Sequence, residues 1–270
     1  MKNVCSVSPA KIFKRGNMMK KFLLPVFCLC FFSCPEIQAA EMTISAAASL
    51  TNAFNELAAN FEREHPGLKV YTNYAASNPL LKQIMEGAPV DVFASADQKT
   101  MDQAEEARLI IPDTRKTFAI NDLVVIVPAG NASPASLDAL KDFSRIAIGD
   151  PASVPAGRYA EQFLKKTGLW KDLENKFIFA NSVRQAREYV ASGEVDCGFV
   201  YGTDAKQMGE KVEVAFIAQM ETPVSYPVAV VTTGNNPRTG EEFISYLLSE
   251  RGQKILNSYG FASPENSAAK

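Results

Sequence analysis

From residue 42 to residue 262, short apolar runs alternate with segments whose apolar positions recur every three or four residues. Leu50, Ala53, Phe54, Leu57, Ala58 and Phe61 predict an amphipathic helix over 50–64, which Pro66-Gly67 stops. Residues 42–46 read as a strand before it and 68–74 as a strand after it. A short helix follows, opened by Asn78-Pro79 and closed by Gly87, then a strand at 90–94 and a helix at 97–109. Leu123-Val124-Val125-Ile126-Val127 is nearly all β-branched and reads as a strand buried on both faces. Helix 136–143, strand 145–148, helix 156–167, strand 177–180, helix 183–192 and strand 195–201 come next. A second long apolar strand, Pro227-Val228-Ala229-Val230-Val231, precedes a helical stretch over about 241–259, and the polar tail 263–270 is expected to fray.

This alternation predicts an α/β protein with mostly parallel sheets flanked by helices. Some 230 residues are large for one such sheet and comfortable for two. No Gly/Ser/Pro-rich linker separates them, so the expected architecture is two lobes joined by two hinge strands, starting near Asp122 and Pro227. The expected division is 41–121 with 228–270 as lobe I, and 122–227 as lobe II.

Residues 1–40 stand apart from this pattern. Lys20-Lys21, the run from Phe22 to Phe32 and the small residues Ala39-Ala40 form the basic, apolar, small order of a secretory signal peptide. Met18 or Met19 begins it more naturally than Met1, which makes 1–17 an upstream extension, and cleavage is expected after Ala39 or Ala40. An alternative reading takes Phe31-Phe32-Ser33-Cys34 as an imperfect lipoprotein signal with a lipid anchor at Cys34. Without its first 40 residues, which hold six basic residues and one acid, the chain's formal charge moves from −2 to −7. Such a surface does not suit nucleic acid, and it repels small anions at long range. Four of the five cysteines leave with the presequence, so Cys197 has no disulfide partner in the chain. One histidine, His65 at an expected helix end, and one remaining cysteine leave no zinc set and no Cys–His pair.

The candidate chemistry lies at strand-to-helix junctions: Ala46-Ala47-Ala48-Ser49-Leu50-Thr51, Ala75-Ala76-Ser77-Asn78-Pro79, the segment from Asp150 to Gly157, and Asn181-Ser182-Val183. Helix N-termini present unpaired N–H groups and partial positive charge, and in open α/β sheets the strand carboxyl ends line the ligand crevice. Each junction alone is also what an ordinary helix cap looks like. Four converging from two lobes would surround an anion with neutral donors.

Five segments occur here in the order of one family: 46–53, Gly87 to Asp97, Gly149-Asp150-Pro151 through Val154-Pro155-Ala156-Gly157, Val200 to Ala205, and Tyr226 to Val230. Together they resemble the periplasmic molybdate-binding proteins of ABC transporters. The resemblance implies a type II periplasmic-binding-protein fold, no enzymatic activity, no cofactor, and molybdate or tungstate as transported ligand. It assigns the ligand contacts to Ser49 and Ser77 in lobe I, and to Ala156, Val183 and Tyr201 in lobe II. Asp91, Asp97, Asp150 and Asp204 would cap helices or bond at the hinge, and the Arg184 side chain would lie on the exposed side of its helix. The partners implied are an inner-membrane ABC permease and no nucleic acid, for a periplasmic monomer. A binding protein for sulfate or another oxyanion and a sensory binding protein remain alternatives. A donor-only pocket suits a fully deprotonated dianion, whereas hydrogen phosphate brings an O–H that needs an acceptor.

Overall fold

The computed structural model describes residues 40–264 of the chain. The expected signal peptide, including Cys34, lies outside the described residues, as does most of the polar tail. Lobe I opens with β1 (Ala40–Ala47), a 3-10 turn and α1 (Thr51–Glu64), followed by β2 (Leu68–Ala75), α2 (Ser77–Met85), β3 (Val92–Ala94), α3 (Gln98–Glu106) and β4 (Lys116–Asn121). Lobe II contains β5 (Leu123–Pro128), β6 (Ile146–Gly149), α4 (Pro155–Lys166), α5 (Trp170–Leu173), β7 (Phe177–Ala180), α6 (Val183–Ala191), β8 (Cys197–Tyr201), α7 (Gly202–Met208) and β9 (Val212–Ala218). The chain then returns to lobe I through β10 (Val224–Val230), α8 (Pro237–Leu248) and α9 (Glu250–Ser258).

The strand orders are β2-β1-β3-β10-β4 and β7-β6-β8-β5-β9. Both sheets are mixed. The β1–β2, β1–β3, β6–β7 and β6–β8 pairings are parallel, and those of β10 with β3 and β4 and of β5 with β8 and β9 are antiparallel. The antiparallel strands are the ones that carry the chain between lobes. The first crossing falls at Asp122, between β4 and β5. The second lies ahead of the expected boundary at Pro227, because β10 already pairs with β4 from Val224, opposite Asn121.

Side-chain pattern explains most elements. Helix α1 buries Ala53, Phe54, Leu57, Ala58 and Phe61, and His65 ends it with its ring against Phe61 and Nδ1 2.8 Å from the Phe61 carbonyl. Strand β5 is buried along its whole length between β8 and β9. Cys197 is a buried free thiol, pushed up from its ordinary pKa by that burial. Three expectations shift. Residues 137–142 form a 3-10 turn rather than an α-helix. The C-terminal helix is two helices, broken where extended Ser249 caps α9 by accepting from Gly252 N at 3.2 Å. Helix α2 begins at Ser77, so Pro79 sits third in the first turn, where a missing N–H costs no helical bond.

Candidate functional site

The carboxyl ends of the strands from both sheets meet at one pocket, lined by Ala47, Ala48, Ser49, Ala76, Ser77, Ala96, Val154, Pro155, Ala156, Val183 and Tyr201. The structure therefore brings all five expected contact residues together. Among the described residues, no charged side chain lines the pocket.

Each donor has a local cause. Lobe I supplies hydroxyls. Ser49 sits in the 3-10 turn between β1 and α1, and Ser77 is the first residue of α2; both are buried. Ser77 Oγ accepts from Ala96 N at 3.0 Å, which leaves its own proton for another acceptor. Ser49 Oγ lies 3.1 Å from the Tyr226 hydroxyl.

Lobe II supplies mainly backbone. In α4, Pro155 has no N–H, and Gly157 N is occupied by the Val154 carbonyl at 3.0 Å. Ala156 is thus left with the free amide of that turn. Gly157 permits this placement: a Cβ there would collide with the Gly149 backbone, so only glycine lets α4 start against the end of β6. In α6, Ser182 accepts from Gln185 N at 3.2 Å while Gln185 Oε1 accepts from Asn181 N at 2.7 Å. That reciprocal cap fixes the helix start, at which Val183 lines the pocket. Tyr201 ends β8, 1% exposed, and its hydroxyl has no hydrogen-bond partner within the described residues. Burial holds its phenol well above the ordinary range, so it stays a neutral donor.

None of the four aspartates lines the pocket. Asp91 accepts from Thr43 N and Asn236 N, each at 2.8 Å, and Asp150 accepts from Ala152 N at 2.9 Å. Asp97 caps α3 through Thr100 N at 3.1 Å and also crosses to lobe II. There its Oδ2 receives Arg158 Nε at 2.8 Å and an Nη atom at 2.6 Å, with both side chains buried. The same Arg158 Nη donates to Asn78 Oδ1 at 3.0 Å and Thr100 Oγ1 at 2.9 Å. Asp204 is buried beside Arg187 at 3.3 Å; burial pushes its carboxyl up to about 6, against the pull of the two neighbouring arginines.

The reading of Arg184 is corrected. Its guanidinium is half-buried and spans the lobes, donating to Asn52 Oδ1 of α1 and to Gln207 Oε1 of α7. A solvent-facing position would forfeit those two acceptors. Sequence reasoning missed Arg158, and it placed Tyr226 in a motif without giving it a role. An arginine in the first turn of a helix opposes the dipole, and that misfit was the available signal of a buried partner.

Residues 42–262 match the bacterial extracellular solute-binding protein family. The molybdate-binding protein ModA of Haemophilus influenzae is 39% identical, over 83% of this chain and 91% of its own length. ModA of Escherichia coli is 41% identical, over 82% and 88% respectively. The solved structure of the Azotobacter vinelandii periplasmic molybdate-binding protein superposes with a TM-score of 0.70 at 26% identity, over 83% of this chain and 99% of that one.

Proposed function

Because this chain belongs to the bacterial extracellular solute-binding proteins, with the type II periplasmic-binding-protein fold, we propose that it captures molybdate or tungstate between its lobes. Residues 1–40 would direct its export, and the loaded monomer would hand its cargo to an inner-membrane ABC permease. One observation carries the ligand reading: Ser49, Ser77, Ala156, Val183 and Tyr201, from opposite lobes, line a single pocket of neutral residues, with no charged side chain among the described residues.

A MoO4 or WO4 dianion only accepts hydrogen bonds, so a pocket of donors satisfies it completely. Backbone amides at helix ends are stiff and resist closing around a smaller anion. Sulfate in the same space would leave long, weak bonds to some donors. The dianion contacting both lobes stabilises the arrangement in which they meet, by as much as its preference for that state.

Thermal melting of the mature protein with a panel of oxyanions tests this. Ligand at about a hundred times its dissociation constant adds roughly 2.7 kcal/mol of stability, which for a domain of this size is a shift of about 5–10 °C. Molybdate and tungstate should produce that shift, with little from sulfate or phosphate. No shift with molybdate or tungstate, or an equal one with sulfate, would overturn the assignment.

A further inference from the structure

Ser49 faces the pocket, but its oxygen is also bonded on the protein side, and the direction of that bond decides what it can offer a ligand. The chain of contacts begins at Asn121, the last residue of β4. Its Oδ1 accepts from Asp122 N at 3.0 Å and Thr203 N at 3.4 Å. Two backbone donors on one side fix the amide, so Nδ2 faces the other way. It donates there to Thr203 Oγ1 at 2.9 Å and to the Tyr226 hydroxyl at 3.2 Å. Reversing the amide would set its NH2 against two N–H groups.

Tyr226 is fully buried in β10, and burial holds its phenol well above the ordinary range, so it keeps its proton. With Asn121 donating to its oxygen, that proton has one remaining partner among the described residues, Ser49 Oγ at 3.1 Å. The opposite polarity, Ser49 donating to Tyr226, would leave a buried phenol proton with no acceptor among the described residues. Ser49 therefore accepts from Tyr226, and its own proton is left for the pocket.

We propose that Asn121 and Tyr226, neither of which lines the pocket, act as positioning residues that aim the Ser49 hydroxyl as a donor and so exclude protonated oxyanions. The inference rests on the oxyanion-binding reading above and supplies what that reading lacks, a reason why a serine, able to donate or accept, behaves as a donor. Ser77 is polarised in the same sense by Ala96 N. A ligand O–H directed at Ser49 meets a hydrogen, and accommodating it means breaking the order of the whole chain from Asn121 outward.

Calorimetry with molybdate, sulfate and hydrogen arsenate on the wild type and Tyr226→Phe is the test. Arsenate carries a proton at neutral pH; molybdate and sulfate carry none. Freeing the Ser49 hydroxyl to rotate should weaken molybdate about tenfold. Hydrogen arsenate should hold or gain affinity, so the molybdate-to-arsenate ratio falls about tenfold or more. The molybdate-to-sulfate ratio should stay constant, since both anions only accept. Asn121→Asp puts an acceptor where Nδ2 stands, draws the Tyr226 proton away from Ser49, and should shrink the arsenate ratio further. If Asn121→Asp does not fold, Tyr226→Phe decides alone, because it keeps the buried ring. Equal losses for molybdate and arsenate would show a merely structural role and overturn the proposal. Failure of the wild type to bind molybdate would instead retire the ligand assignment, a separate outcome.

Discussion

The two walls of the pocket obtain the same property by different means. In lobe I the donors are side-chain hydroxyls, Ser49 and Ser77, which could equally accept; each receives a bond from inside the protein, from Tyr226 or Ala96 N, leaving its proton for the pocket. In lobe II the proposed donors at Ala156 and Val183 are main-chain amides, which cannot accept, and the helix starts would aim them. Side-chain identity should therefore matter on one wall and backbone on the other. A hydroxyl wall needs supporting residues deep in the lobe; an amide wall needs caps and glycines.

The largest expected effect concerns what holds the two walls at their spacing. Arg158, in the first turns of α4, reaches across to Asp97, Asn78 and Thr100 of lobe I. Its charge is neutralised in a buried pair and is not offered to the ligand. Arg158→Met keeps the stem and leaves Asp97 buried without its partner, which should cost about 3–5 kcal/mol in denaturant unfolding. Asp97→Asn in the same background should recover part of that loss, because it removes the stranded charge. A loss under about 1 kcal/mol would mean that the lobes hold their spacing without this pair.

The next effect separates backbone from side chain on the lobe II wall. Val183 is the first residue of α6, a position where proline fits a helix, and extended Ser182 before it suits a following proline. Val183→Pro deletes one N–H and little else. Oxyanion affinity should fall tenfold to a hundredfold, with the melting temperature of the free protein nearly unchanged. Val183→Ala, which keeps the amide, should bind close to the wild-type value. Ser77→Ala on the opposite wall should lose affinity through its side chain by a similar factor. Equal losses in Val183→Pro and Val183→Ala would show that shape, rather than the amide, matters there.

This division also explains what could be read before the fold was known. The α1 stripe and the β-branched run of β5 announce themselves because burial on one face or two leaves a local period. Strand β9 was not anticipated: at the sheet edge it leaves Val214 and Ile217 half exposed, so no apolar run or clean alternation marks it. Helix α7, opened by Gly202, also lacks a start signal. The pocket residues themselves sit in contiguous motifs at strand ends, where a resemblance can place them one by one. Their supports do not. Tyr226 meets Ser49 across 177 residues, and Asn121 meets Tyr226 across 105. Nothing local in either strand specifies that pairing, beyond one amide after the apolar run Phe118-Ala119-Ile120 of β4.

The smallest effect distinguishes Tyr201 from the other hydroxyls around the pocket. The hydroxyls of Ser49 and Ser77 have partners inside the protein, whereas the Tyr201 hydroxyl is buried with none among the described residues. An unmade buried hydrogen bond is a standing cost in the free protein, and Tyr201→Phe removes it while keeping the ring against Tyr226. The variant without ligand should be more stable by about 1 kcal/mol, a rise of roughly 2–4 °C in melting temperature. With saturating molybdate the order should reverse, because the wild type gains a bond that the variant cannot make, and affinity should drop about tenfold. This crossing of the two melting curves is specific to a donor held in reserve for a ligand. If Tyr201→Phe lowers the stability of the free protein, the hydroxyl has a protein or water partner, and the lobe II wall loses its one side-chain donor.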